Sequence, residues 1–289
     1  MKKIIPVFIA LFLTTGQVWA GGGWPQPKGK GYFKLAEWWV VSNQHYTDRG
    51  LIDPNVTTGI FNTSLYAEYG FTNRLTGVLY FPFFSRTYMN NLRSATTGEL
   101  LTPGESINTI GDTDLGLKYG LTKPGSRVAL SASLILGLPL GEDAGGSQGN
   151  LQTGDGEFNQ LLQVDAGTSF SVGKLPAFAN IYTGFNNRTN DFSDEFRYGV
   201  EAGVNVLNRR AWIIGRITGV ESLRNGKTAA EVNTTSIFAN NTAFTSASIE
   251  LAYYVTKQVG VSASYAGAFR GQIIFASPSY SVGVFLDLK

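Results

Sequence analysis

Not one cysteine occurs in the 289 residues, and there is a single histidine, His45. That excludes a disulfide scaffold and the usual thiolate metal sites. Long apolar runs are missing too: beyond Leu13 no stretch approaches the roughly 20 residues of a spanning helix. A surplus of one charge is also absent. The 23 basic residues face 21 acidic ones, and without Lys2 and Lys3 the count is 21 against 21. A chain this evenly balanced has no electrostatic reason to hold nucleic acid. No nucleotide loop or capped periodic helix is present, and no cofactor or metal is expected.

The first twenty residues, MKKIIPVFIALFLTTGQVWA, carry two lysines, an apolar run from Ile4 to Leu13 and the small-residue pattern Val18-Trp19-Ala20. This is the pattern of a secretory signal peptide cut after Ala20, and the run is too short to cross a bilayer. Residues 21–30, GGGWPQPKGK, read as a flexible periplasmic segment whose Trp24 has reason to tuck into the lumen. The remainder, 31–289, reads as one domain.

From Tyr32 onward polarity alternates with the period of a strand. Twelve segments are expected, near 31–45, 59–71, 75–86, 110–121, 127–139, 158–172, 177–187, 195–207, 211–222, 243–256, 259–270 and 278–288. In FRYGVEAGVNVL, Phe196, Tyr198, Val200, Ala202, Val204 and Val206 share a face, opposite Arg197, Gly199, Glu201, Gly203 and Asn205. A soluble sandwich turns such an apolar face inward, and a transmembrane barrel turns it toward lipid. Connections decide between them. Short links around Asn73, Pro124, Lys174, Arg209 and Lys257 alternate without exception with longer ones. Tight turns at one end and long loops at the other predict an all-β, up-and-down antiparallel transmembrane barrel of about 12 strands, with short periplasmic turns and long extracellular loops.

The stretch GDTDLGLKYGL followed by RVALSASLILGLPLG, within Gly111 to Gly141, resembles a strand pair of the meta-pathway phenol-degradation family of Gram-negative outer-membrane proteins. The opening GGGWPQPKGKGYFKLAEWW is similar to that of some members. The resemblance implies an outer-membrane barrel in bacteria that take up aromatic or other apolar compounds, and it brings no catalytic residue.

On the barrel reading the lumen-lining set is Glu37, Glu68, Tyr80, Asp112, Asp114, Lys118, Asp165, Tyr182, Arg197, Glu201, Glu250, Tyr254 and Arg270. Charges there must pair or stay wet. Both signs occur without a run of arginines, which argues against a polyanion channel. Gly116, Ser131, Ser133, Gly199, Gly203 and Ser262 are small enough to leave room. Twelve strands tilted about 40° give a backbone diameter of roughly 24 Å, one small solute wide once side chains are subtracted. Pro82, which lacks a ladder donor, is expected at a bulge or kink.

The expected function is a channel or diffusion-assisting transporter for small, apolar or aromatic solutes. Its other partners are outer-membrane lipid and lipopolysaccharide. One alternative is a structural barrel with a filled lumen. Another is a hydrolase using His45 with Ser42 and Asn43, which requires a serine within about 3 Å of the imidazole. The loop Gly141 to Glu157 has acids and glycines but not the spacing of an EF-hand, and reads as a solvated extracellular loop.

Overall fold

The computed structural model describes residues 22–227 and 237–289; the expected signal peptide, 1–20, lies outside the described residues. Twelve long strands build the wall: β1 Gly31–Tyr46, β2 Ile52–Gly70, β3 Leu75–Met89, β4 Thr113–Gly120, β5 Val128–Leu138 and β6 Asn159–Val172. They continue as β7 Leu175–Arg188, β8 Glu195–Val206, β9 Ala211–Ser222, β10 Ala243–Tyr254, β11 Val259–Gln272 and β12 Ser279–Leu288. Each pairs antiparallel with the next, and β12 pairs with β1, closing the sheet without a free edge. Closure matters because lipid offers no partner for an unpaired backbone group.

All twelve expected segments are strands, and the differences lie at the loop ends. β2 starts at Ile52 instead of near 59, because His45 and Tyr46 continue the ladder with Asp53 and Ile52. Glu105–Thr109 adds to the upper part of β3, and Ile274–Phe275 to the end of β1. Leu92–Arg93 and Leu100–Thr102 form a small separate hairpin. The tight connections are all at the end that carries Gly31 and Leu288, which face each other across the closing seam.

Which way the apolar faces point follows from register and exposure. Leu35 sits opposite Leu65 on β2 and Val284 on β12. Leu115, Leu117, Val200 and Val284 are 45%, 53%, 46% and 52% exposed, so these aliphatic side chains cover the outside of the barrel. Ten residues of strand at this tilt cover about 25 Å, the height of a lipid-facing apolar band. Trp39 stacks on Tyr280 at 5.7 Å and Tyr280 meets Tyr265 at 5.5 Å toward the long-loop rim, while Tyr69 and Phe71 meet at 5.7 Å near the short-turn rim. These pairs sit where headgroup-level aromatic belts belong.

One irregularity falls where proline requires it. In the β2–β3 ladder Leu65 pairs with Phe81 but Thr63 with Phe84, so Pro82 lies in a bulge. Its carbonyl accepts the Gly111 N–H at 2.8 Å. On the other edge of β3, pairing to β4 ends at Tyr80 and pairing to Glu105–Thr109 begins at Ser85.

Candidate functional site: a charged and aromatic lumen

Because side chains alternate, each strand delivers every second residue to the interior. A cavity of about 860 Å³ lies there. Of the expected lumen residues, Glu68, Tyr80, Asp165, Tyr182, Glu201, Glu250 and Tyr254 line it. Lys118 points inward and is buried against Glu68. Asp114 shares its face of β4 with Lys118, opposite the exposed Leu115 and Leu117. Arg197, on the Glu201 face of β8, lies closer to the long-loop rim and binds Glu195 at 2.7 Å.

Two of the expected lumen residues are on the outside. In β1 it is Lys34, Ala36 and Trp38 that line the cavity, so Glu37 shares the outward face with Leu35 and Trp39. Its carboxylate accepts the Thr63 hydroxyl at 2.5 Å, and the next outward position toward the long-loop rim is Trp39. A partner and closeness to the aromatic belt make the acid tolerable, since the cost of charge on the lipid face falls toward the interface. Arg270 is turned outward by a bulge that skips Phe269 in the β10–β11 ladder. Its guanidinium grips both oxygens of Glu221, beside Tyr198. Asp112 is neither in the wall nor in the cavity; it belongs to a loop cluster described below.

Two of the small lumen positions do not leave room. A Cβ on Gly199 would come within 2.3 Å of the Tyr182 ring, and one on Gly203 within 2.3 Å of the Phe178 ring. Those glycines are covered by aromatics lying flat on the wall. Ser131, Ser133 and Ser262 are buried with hydroxyls that have no protein partner, positions suited to water.

The N-terminal segment is packed into the short-turn end of the lumen, beside a cavity whose lining reaches Arg209 and Lys289. Trp24 meets Phe178 edge-on at 6.3 Å, and Phe178 meets Trp212 at 5.5 Å. The Gly23 N–H donates to Asn180 Oδ1 at 3.0 Å, and the Gln26 N–H to Thr76 Oγ1 at 2.7 Å. Gln26 Nε2 reaches Glu68 at 2.9 Å, and Glu68 also accepts from the Tyr66 hydroxyl at 2.6 Å and from Lys118 at 3.3 Å. A carboxylate that is 1% exposed is tolerable only with such a set.

At the middle of the cavity charges alternate: Lys34 binds Glu250 at 2.7 Å, Glu250 binds Arg216 at 2.8 Å, and Arg216 also binds Glu201. Rings surround them. Tyr32 stacks on Phe285 at 5.6 Å, and Tyr254 meets Phe285 at 5.0 Å while donating to Asp287 at 2.6 Å. Sequence reasoning missed Lys34 and Arg216. The β9 run WIIGRITGV is apolar on both faces, which hid its phase, whereas the antiphase of Lys34 to Phe33, Leu35, Trp39 and Val41 was a usable signal.

The long-loop end holds a cluster around Arg188, which binds Asp155 at 3.1 Å, Glu195 at 2.9 Å and Glu157, and lies over Phe192 at 4.6 Å. The Asp112 carboxylate accepts the N–H groups of Gly141 at 2.9 Å and Asp155 at 2.8 Å. Burial, then the charge of Asp155, pushes its pKa up to about 7. Glu157 is raised to about 7 by burial and Asp155 against the opposing Arg188. The loop expected to be solvated is therefore tied down, with Leu151 and Thr153 buried and Thr153 bonded to Ile110 and Glu142.

Among the described residues His45 and Ser42 are not brought into a hydrogen-bonded pair. His45 Nδ1 is buried without a hydrogen-bond partner, and Ser42 donates to Gln44 and contacts Ser277 Oγ at 2.8 Å.

No family model and no curated protein matches the sequence. Among solved structures, an outer membrane channel from Pseudomonas putida F1 is similar at TM-score 0.59 and 12% identity, covering 94% of this chain and 100% of that one. The β domain of the Bordetella autotransporter Brka has TM-score 0.49 and 12% identity, covering 90% and 100%. The translocator domain of the autotransporter NalP from Neisseria meningitidis has TM-score 0.47 and 10% identity, covering 90% and 89%. Closure, outward apolar band and the likeness to the Pseudomonas structure agree: this chain has the fold of a bacterial outer-membrane β-barrel.

Proposed function

We propose that the protein is an outer-membrane channel for small neutral solutes, with apolar and aromatic compounds as the favoured class. The observation that carries this reading is the 860 Å³ cavity itself, because a purely structural barrel has no need of an unfilled middle. Its lining mixes tyrosine, tryptophan and phenylalanine rings with charges that are already paired, a combination suited to a flat, uncharged guest. The resemblance of the β4–β5 hairpin to the phenol-degradation family supports the same class.

On this reading residues 1–20 are an export signal, residues 21–30 act as a stopper on the periplasmic side, and 31–289 is the conducting barrel. Trp24 and Gln26 must leave their sites for a solute to pass. The test is conductance and solute uptake after reconstitution into planar bilayers and liposomes, for the chain as it stands and with residues 22–28 deleted. Deletion is expected to raise both. Absence of conductance and of accelerated uptake in both proteins would refute the channel.

A further inference from the structure

Lys34 leaves β1 on the lumen face, yet its ammonium meets Glu250 of β10. The strands between them are β12 and β11, so the side chain crosses two strands along the wall. Its path runs over small residues. A Cβ on Gly283 would come within 3.1 Å of Lys34 Cε, and Ser264 and Ser281 line the cavity on those two strands. Glu250 is held from its other oxygen by Arg216 of β9, whose Nε binds Glu201 of β8. Lys34, Glu250, Arg216 and Glu201 thus form a lateral ladder of alternating sign, and all four line the cavity.

We propose that this ladder is the charge filter of the channel and that Glu250 is the residue that sets it; the assignment rests on the channel reading above. Two cations and two carboxylates sum to zero, and each inner member is clamped by two opposite charges. A passing anion must displace a carboxylate held from both sides, and a passing cation must displace a guanidinium held the same way. Ions of either sign meet competition, whereas a neutral ring does not. Charges this close in a narrow lumen interact far inside one screening length, about 10 Å at 0.1 M salt.

Glu250 joins the two cations, so replacing it by its neutral isostere frees Lys34 and leaves Arg216 with Glu201 alone. The filter then carries a net positive charge. Removing Lys34 leaves a net negative one.

The experiment measures zero-current voltage across planar bilayers in a tenfold KCl gradient for the wild type, Glu250→Gln and Lys34→Met, with heat-modifiable migration on gels as the check that each barrel has folded. Relative to the wild type, Glu250→Gln is expected to be displaced toward the chloride equilibrium voltage and Lys34→Met toward that of potassium. With benzoate in place of chloride, the Glu250→Gln channel is expected to carry severalfold more anion current than the wild type. Should Glu250→Gln fail to fold, the sign of the Lys34→Met displacement decides alone. Equal zero-current voltages with conductance intact would overturn the filter and leave the channel standing. A wild type that does not conduct even after deletion of residues 22–28 would remove the channel reading, and the filter with it.

Discussion

Replacing Lys118 by methionine tests whether the lumen around Glu68, beside the N-terminal segment, is dry. Lys118 Nζ lies 3.3 Å from Glu68, and the two residues are 6% and 1% exposed. At an effective dielectric constant of 20 the gross attraction is about 5 kcal/mol. Breaking a buried pair by removing one partner costs about 3–5 kcal/mol, because the other charge stays buried. Two hydrogen bonds to Glu68 survive, from Tyr66 and Gln26, which places Lys118→Met at the lower end, about 3 kcal/mol. Glu68→Gln strands the ammonium instead and is expected to cost about as much. The double variant buries no lone charge and should lose only about 1 kcal/mol, so the two changes are strongly non-additive. Urea unfolding in lipid vesicles, followed by tryptophan fluorescence, reads all four proteins. Additive losses of under about 1 kcal/mol for each single change, the size found for solvent-exposed pairs, would mean that water reaches Glu68 and that the segment around Gln26 does not seal the lumen.

Further outcomes follow from other parts of the wall. Val200→Arg puts a cation on the lipid face at mid-strand and is expected to lower stability in bilayers by about 2–4 kcal/mol, whereas the charge-conserving Arg74→Lys in a short turn should be silent in the same unfolding assay. Gly203→Ala pushes a methyl into the Phe178 ring; a loss of about 1–3 kcal/mol, with higher conductance as the contacts to Trp24 and Trp212 loosen, is the expected pair of results. Asp112 binds a proton in the folded chain up to about pH 7 but only to its ordinary value, near 4, when unfolded. Between those values the folded state holds more protons, so this group's contribution to stability falls as pH rises from about 4 to 7. Hydrogen-exchange protection of the Gly141 and Asp155 amides should be greater at pH 5 than at pH 8, and Asp112→Asn should flatten that difference.

How far the fold was legible depended on which face carried a clean contrast. In β8, Val200 and Val204 against Glu201 and Asn205 state the orientation outright, and lipid outside with a wetter middle follows. β1 has no such contrast. Trp38 and Trp39 occupy both faces, and a lone acid drew the polar face to Glu37, although Lys34, three residues earlier and on the opposite face, was the true inward marker. Arg270 failed for another reason: alternation is counted from one end, and a single bulge at Phe269 reverses everything beyond it. Glycine was misread in kind. Gly199 and Gly203 look like empty space along one strand, but Tyr182 and Phe178 come from β7 to cover them, and register between strands is not written in either strand alone. The docking of the N-terminal segment was half legible, since an unprotected Trp24 asks for a partner, but Asn180, Thr76 and Glu68 lie far from it along the sequence.

The interior is stratified by the kind of satisfaction each level offers. Carboxylates outnumber cations around Arg188 at the long-loop end, two cations and two carboxylates are matched along one side of the middle, and the rings of Trp24, Phe178 and Trp212 pack toward the short-turn end. A solute on the proposed path meets these in that order. An anion is opposed at the first level, where Asp155, Glu157 and Glu195 share Arg188 and Glu195 also binds Arg197. A cation is welcomed there but must then compete with Arg216 and Lys34 for Glu250 and Glu201. On the channel reading a neutral aromatic loses little at either level and gains stacking partners in Tyr32, Phe285 and Tyr254, so charge is selected against twice, by opposite means. Changing the first level alone, by Arg188→Met, should therefore deepen the exclusion of anions without altering how neutral solutes pass, and single-channel recordings with benzoate set beside uptake of a neutral aromatic separate the two.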